Sequence, residues 1–291
     1  MIDFFKHFQQ QEHAYLTITG EGDAKALTER YGAQVDRMWN AGDTELGSYH
    51  FDQMCLYVRS GMRDDDASEQ HIESIVHCYE GRQLHTLPDE LCRTVHVVTH
   101  SAHSQAGGLW LNADLIRRLA WIKARVCIHV YKMVAHGERL LEHHHDFPGA
   151  RWVPETRTQD KNAGQYAHLE LRSYDTTADE ISQRLGLTPT KSWQRGEAIV
   201  RGEQPTRAHN LWKMASGVDS QQEMAAHLDA LNTVLVAKQD VLSHFSANYR
   251  NEIGIAAAAH LDTSICITLP AKLIERMAML GMSFELDLYL R

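Results

Sequence analysis

Apolar and polar positions alternate over residues 14–20, with Leu16 and Ile18 on one side, and again over 167–173, with Leu169 and Leu171 in the same places. A period of two belongs to a half-buried strand. Each strand leads into a segment of helical spacing, over about 23–31 and 177–185, that stops at Gly32 and Gly186. Glycine suits the left-handed residue that closes a helix, because it has no Cβ to clash. Thr177-Ala-Asp-Glu180 is a capping box, in which hydroxyl and carboxylate satisfy free backbone donors. Further strands are expected over 50–59 and 208–215, near 93–100 and 252–258, and near 107–111 and 264–268. Amphipathic helices are expected over 67–79 and 220–236. A third helix is expected over about 112–122 and 270–280, with Asn112 as its cap in the first case and Pro270 as a tolerated first-turn residue in the second. The closing strands are the clearest: Val126, Ile128 and Val130 in one, Phe284, Leu286 and Leu288 in the other.

These elements come in two runs of the same order. Arg30, Gly32, Trp39 and Gly42 match Arg184, Gly186, Trp193 and Gly196; Ser60, Gly61 and His71 match Ser216, Gly217 and His227. Leu111, Leu115, Ile116, Arg118 and Tyr131 match Leu269, Leu273, Ile274, Arg276 and Tyr289. The spacing between partners grows by a few residues along the chain, as loop insertions would make it. The reading is an internal duplication. The fold class it implies is α+β: two similar repeats, each a largely antiparallel sheet with about three helices packed on one face. The first copy takes residues 1–131 and the second 166–291. Residues 132–165 form a helix extension and an exposed connector, long enough to suggest a functional segment.

Composition narrows the function. Of 291 residues, 43% are hydrophobic and 23% charged, enough for two buried cores. The opening residues have no continuous apolar stretch of the kind a secretory signal needs, so a cytoplasmic protein is expected. The five cysteines include no C-x-x-C pair and read as buried free thiols in a reducing compartment. A formal net charge of −9 argues against nucleic acid or membrane as the main partner, and suits a basic protein surface.

No motif carries recognisable chemistry. Gly20-Glu-Gly22 lies where phosphate-binding glycines would lie, but Lys25 occupies the third glycine position and the second copy has Ser173-Tyr-Asp175, so a plain turn is expected. Glu142, His143, His144, His145 and Asp146, with His136, resemble a metal cluster, yet adjacent histidines cannot all face one ion, and a solvated segment is the plainer reading. His96 and His100 share a strand face, with His103 beyond. Aligned with Gly254 and Ala258, the first two read as copy-specific histidines rather than as a base or ligand set. Trp39 and Trp193 each precede a tight glycine turn, either as packing or as a ligand-facing aromatic. Asp64, Asp65, Asp66 and Glu69 form an acidic run before a helix, where carboxylates favour the N-terminus or meet a basic partner. No cofactor, metal or catalytic residue is expected.

The second half, from Ala167 to Tyr289, resembles a bacterial family classified as a domain of unknown function. The resemblance rests on the opening strand, on Ile181-x-x-x-Leu185-Gly186-Leu187-x-Pro189, and on Lys191-Ser-Trp193-Gln-Arg-Gly196-Glu197. Leu211-Trp212 and Leu286-Asp-Leu288-Tyr289 support it. The first half looks like a degenerate copy that lacks the Leu-x-Pro. Such domains occur among the immunity proteins of polymorphic toxins, and the resemblance therefore implies a stoichiometric inhibitor of a cognate toxin. An ADP-ribosyltransferase or nuclease toxin with a basic cleft would fit such an acidic inhibitor. The contacts expected on charge and exposure are Asp64, Asp65, Asp66 and Glu69, with Asp146, Arg151, Trp152 and Glu155 on the connector. The alternative is a small-ligand-binding protein or enzyme with a site between the repeats, where tryptophans from both copies would line it. Reversing the charges of Asp64, Asp65 and Asp66 is expected to slow toxin association in surface-binding kinetics; an unchanged rate removes this run from the interface.

Overall fold

A computed structural model describes residues 11–45, 49–63, 66–101, 105–132, 164–198, 206–261 and 265–290. The first half contains strands β1 (Gln11–Gly20), β2 (Arg37–Trp39), β3 (Thr44–Glu45), β4 (Tyr49–His50), β5 (Met54–Arg59), β6 (Cys92–Ser101), β7 (Gln105–Leu111) and β8 (Ala124–Lys132). Its helices are α1 (Ala24–Tyr31), α2 (Ser68–Gly81) and α3 (Ala113–Trp121). The second half contains β9 (Gln165–Ser173), α4 (Ala178–Leu185), β10 (Lys191–Trp193), β11 (Asn210–Ala215), α5 (Met224–Ala237), α6 (Gln239–Ser246), β12 (Asn251–Leu261), β13 (Ile265–Leu269), α7 (Ala271–Met279) and β14 (Ser283–Leu290). The α+β class and the two similar units expected from the sequence are both present.

The local signals act as anticipated. Gly32 and Gly186 close their helices in the left-handed region, at φ 67° and 63°. Thr177 and Glu180 form the reciprocal capping box, and Asn112 accepts from the Leu115 N–H at 2.8 Å. Pro270 stands one place earlier than expected, at the N-cap of α7, where its carbonyl accepts from the Ile274 N–H. Helix α6 was not expected; it continues the chain beyond α5 after a break at Lys238. The helix extension expected after residue 132 and most of the connector lie outside the described residues.

Both six-stranded sheets have the same plan. Sheet one has the order β13-β8-β6-β1-β5-β2, and sheet two β7-β14-β12-β9-β11-β10. In each, one central pair is parallel, β6 with β8 and β12 with β14, and every other pair is antiparallel. The outermost strand next to that parallel pair is not supplied by its own half. Strand β7 leaves the first half to pair with β14, and β13 leaves the second half to pair with β8. The two units therefore exchange edge strands, and α3 and α7, which follow those strands, pack against each other.

The exchange joins the cores. Leu16, Ile18, Leu56 and Val95 from sheet one, and Leu169, Leu171, Trp212 and Ile255 from sheet two, all belong to one continuous apolar cluster. Leu115, Ile116 and Leu119 of α3, with Leu273, Ile274 and Met277 of α7, belong to it as well and are at most 3% exposed. Burying an aliphatic side chain of this size contributes roughly 1.5–3 kcal/mol.

One polar device recurs in both units. The Ser60 hydroxyl lies 2.7 Å from His71 Nδ1, and Ser216 lies 2.7 Å from His227 Nδ1. Gly61 and Gly217 next to them have φ of 71° and 76°, and the Ser60 and Ser216 N–H groups donate to the Ala14 and Ala167 carbonyls. Each pair ties the end of one strand to the following helix.

Because β7 and β13 occupy equivalent places, a fragment of residues 164–291 can complete its own sheet with β13 of a second copy. Such a fragment is expected to be a dimer by light scattering, with the intact chain compared at equal concentration. A folded monomeric fragment would show that β13 can turn back into its own sheet.

Candidate functional site

On each sheet the face away from the core carries a tryptophan on its far edge strand, and the two faces differ. On sheet one, Trp39 of β2 is covered by Phe51, ring centroids 4.8 Å apart and planes nearly parallel. Tyr15, Cys55, Tyr57 and Val98 complete an aromatic and apolar cluster, and each is 5% exposed or less. Burial pushes the Tyr15 hydroxyl well above its ordinary value and the Cys55 thiol up to about 12. These groups are protonated and passive at neutral pH.

Beside the cluster runs a chain of polar contacts: Thr17 Oγ1 lies 3.1 Å from His96 Nε2, and His96 Nδ1 lies 3.0 Å from His129 Nε2. Burial, then the neighbouring His129 and Arg125, hold the His96 pKa well below the ordinary value. The Thr17 hydroxyl at the end of this chain is 3% exposed, so it is not available to attack a substrate. A few residues away, hydrogen bonding from the Cys266 thiol draws the Cys127 thiol down to about 6, and the same contact raises Cys266. All five cysteines are free, as their spacing implies, but only Cys55 and Cys127 are buried as expected; Cys78 is half-buried, and Cys92 and Cys266 are exposed.

The pairing register corrects the alignment of the histidine strand. His96 stands opposite Tyr15, and Ala256 opposite His168, so His96 corresponds to Ala256 rather than to Gly254. By the same register His100, opposite Tyr131, corresponds to His260, opposite Tyr289. A histidine at this place is therefore shared by both units, and His260 stacks on Tyr289 at 4.6 Å. The His100 side chain and His103 lie outside the described residues.

Sheet two presents the ionic counterpart. A hollow of about 340 Å³ is lined by Glu170 and Arg172 of β9, Lys191 and Trp193 of β10, Leu211 and Lys213 of β11, and His209. Glu170 accepts from Lys213 Nζ at 2.6 Å and from Arg172 at 3.0 Å. Burial pushes its carboxyl up, but the bonds from Lys213 and Arg172 outweigh that, and its pKa lies below the usual carboxylate value. Glu170 is thus a fixed negative charge at the floor of the hollow. Above it the Arg207 guanidinium lies 4.1 Å from the centre of the Trp193 ring, and the Lys191 ammonium 5.6 Å from it. Nearby, Tyr174 lies between Arg195 and Arg250, 5.8 and 5.7 Å from its ring.

Phe51 and Arg207 hold equivalent positions. The Phe51 carbonyl accepts from the Gly42 N–H, as the Arg207 carbonyl accepts from the Gly196 N–H. Gly42 and Gly196 both have φ 87°, which glycine adopts without strain. One frame thus carries a phenyl ring over the first tryptophan and a guanidinium over the second. Sequence matching paired the tryptophans and glycines but could not pair Phe51 with Arg207, because the intervening hairpins differ in length.

The other anticipated residues are placed as follows. Asp66 accepts from the Arg63 N–H at 2.9 Å, and Glu69 from the Trp110 N–H of the exchanged strand β7 at 2.7 Å. Glu69 thereby acts as a strut between the units. Asp64, Asp65, Asp146, Arg151, Trp152 and Glu155, with the histidine run 143–145, lie outside the described residues. Around Gly20-Glu-Gly22 the first amides of α1 are taken by Asn40 and Asp23, at 2.7 Å each, which leaves a plain turn. Among the described residues, no three His, Cys, Asp or Glu side chains are grouped to hold a metal, and no helix is long and apolar enough to cross a membrane. A second hollow, about 360 Å³ between α4 and α6, is like the first lined by second-half residues alone.

The fold and its two faces define a two-unit α+β protein whose units share one plan and differ in the chemistry they display. Residues 163–291, less than half of the chain, match the family described as a domain of unknown function (DUF4279). That match covers the unit with the ionic face. No curated protein matches the chain.

A neutral His96 in the folded state has a consequence for stability. Its folded pKa lies below the unfolded value near 6.5, so below that pH the unfolded chain takes up a proton that the folded chain refuses. Stability should fall as the pH drops from 7 to 5, by at most about 1.4 kcal/mol per pH unit for this residue. In urea unfolding, His96→Gln should flatten that fall; an identical pH slope would disprove the assignment.

Proposed function

We propose that this chain is a cytoplasmic immunity protein, derived by tandem duplication, that binds a cognate antibacterial toxin and blocks its active site without catalysing a reaction. The observation that carries the reading is the second unit's outer face, where Trp193 and Tyr174 stand among Arg207, Lys191, Arg195 and Arg250. Tryptophan, tyrosine and arginine dominate the binding energy of protein interfaces, because they bury large areas and still offer directed hydrogen bonds. The buried Ser60–His71 pair and the buried Thr17 support a binding role: their hydroxyls serve the fold and are closed to a substrate.

On this reading the second unit makes the central contacts and the first, with its aromatic cluster sealed, acts as a rigid support. The acidic residues Asp64, Asp65, Asp66 and Asp146, with Arg151, Trp152 and Glu155, supply peripheral contacts and steering towards a basic cleft. Glu69 belongs to that set and also accepts from the Trp110 N–H. An ADP-ribosyltransferase or nuclease toxin fits the net charge of −9.

The test is co-expression with the toxic C-terminal domain encoded immediately upstream. Survival and a stable one-to-one complex are expected, with Trp193→Ala losing about 2 kcal/mol or more of affinity. Absence of both rescue and complex would overturn the proposal.

A further inference from the structure

The hollow beside Trp193 has an excess of positive charge that the fold does not need. Lys191 and Lys213 stand directly opposite each other on β10 and β11. Like charges in that relation are destabilising. Glu170 answers Lys213 and Arg172, while Glu252 reaches Arg172 at 4.0 Å. Lys191 and the Arg207 guanidinium have no carboxylate partner among the described residues; both contact the Trp193 ring. A guanidinium stacked on an indole keeps its N–H groups free in its own plane, pre-set for the oxygens of an anion. The Trp193 Nε1–H is buried and has no partner among the described residues, which leaves one more donor in want of an acceptor.

The first unit shows what the same frame does without this charge. There Arg37 stands opposite Tyr57, not opposite a second cation, and Phe51 covers Trp39. The like-charge pair and the guanidinium are thus particular to one unit.

We infer that the hollow lined by Lys191, Trp193 and Lys213, with Arg207 stacked on the Trp193 ring beside it, is a binding site for a phosphate group. Two cations without carboxylate partners match the double negative charge of a phosphate, and an arginine fork with an adjacent ammonium is the donor set that phosphate oxygens take. The phosphate is either free or carried as a monoester, and the recognition is the same for both. This rests on the proposed binding face for its location alone, so the two readings can fail separately.

The experiment is titration of the intact chain with inorganic phosphate and, separately, with adenosine 5′-monophosphate, followed by tryptophan emission and by calorimetry at fixed ionic strength. Saturable binding of at least one is expected; tighter monophosphate binding would identify a monoester as the source, and equal affinities free phosphate. Arg207→Ala should weaken binding about 10-fold or more. Arg207→Phe, which installs the first unit's arrangement, should abolish binding while leaving the thermal midpoint near that of the parent. Trp193→Phe, which deletes the indole and its buried N–H donor, should remove the emission change and weaken the binding seen by calorimetry. No saturation with either anion, or affinity unchanged in both Arg207 variants, would overturn the assignment, whether or not the chain neutralises a toxin.

Discussion

A strand at the rim of a sheet carries unpaired N–H and C=O groups that must find a partner, meet water or be covered. In this protein that constraint is met reciprocally. Strand β7 completes the sheet of the second half and β13 that of the first, so each sheet holds a strand of the other half. Helices α3 and α7 are carried across with them and meet. The continuous apolar cluster that joins the two sheets and the Glu69 bond to the Trp110 backbone both depend on this exchange. Long-range pairings of this kind cost loop-closure entropy before they return any burial, so the two halves should gain their final stability together.

The shared frame explains how two unequal faces can coexist. The Ser–His ties, the glycine turns and the parallel central pair hold the backbone in one arrangement in both units. With the backbone fixed, side chains on the outer face are free to diverge, because they support nothing beneath them. The first unit fills that face with Tyr15, Trp39, Phe51 and Tyr57. The second places Glu170, Lys191, Arg207 and Lys213 there. Burial favours the former and solvent the latter, so one unit has a sealed aromatic face and the other a charged one.

Much of the fold was legible from local pattern. The capping box at Thr177, the closing glycines and the strand alternation each act within a few residues, and each was where the sequence placed it. The candidate site was less legible. The acidic run before α2 drew notice by charge, yet Glu69 turned out to serve a backbone donor on a distant strand. The pair Phe51 and Arg207 gave no signal, because their equivalence lies in backbone hydrogen bonds across hairpins of unequal length.

The histidine strand shows where reading by pattern stops. Its partner in the second half was aligned two residues away from the true register, and a shift of two leaves every side chain on the same face. Periodicity is blind to such an error; the hydrogen-bond ladder is not. By itself the sequence determined the period of each element, its caps and the presence of two similar units, since these follow from short-range sterics and burial. The tertiary structure alone decided which sheet receives β7 and β13, and which groups gather round Trp193. A strand's partner is chosen by distant edges competing for the same backbone groups, and nothing in its own residues states the outcome.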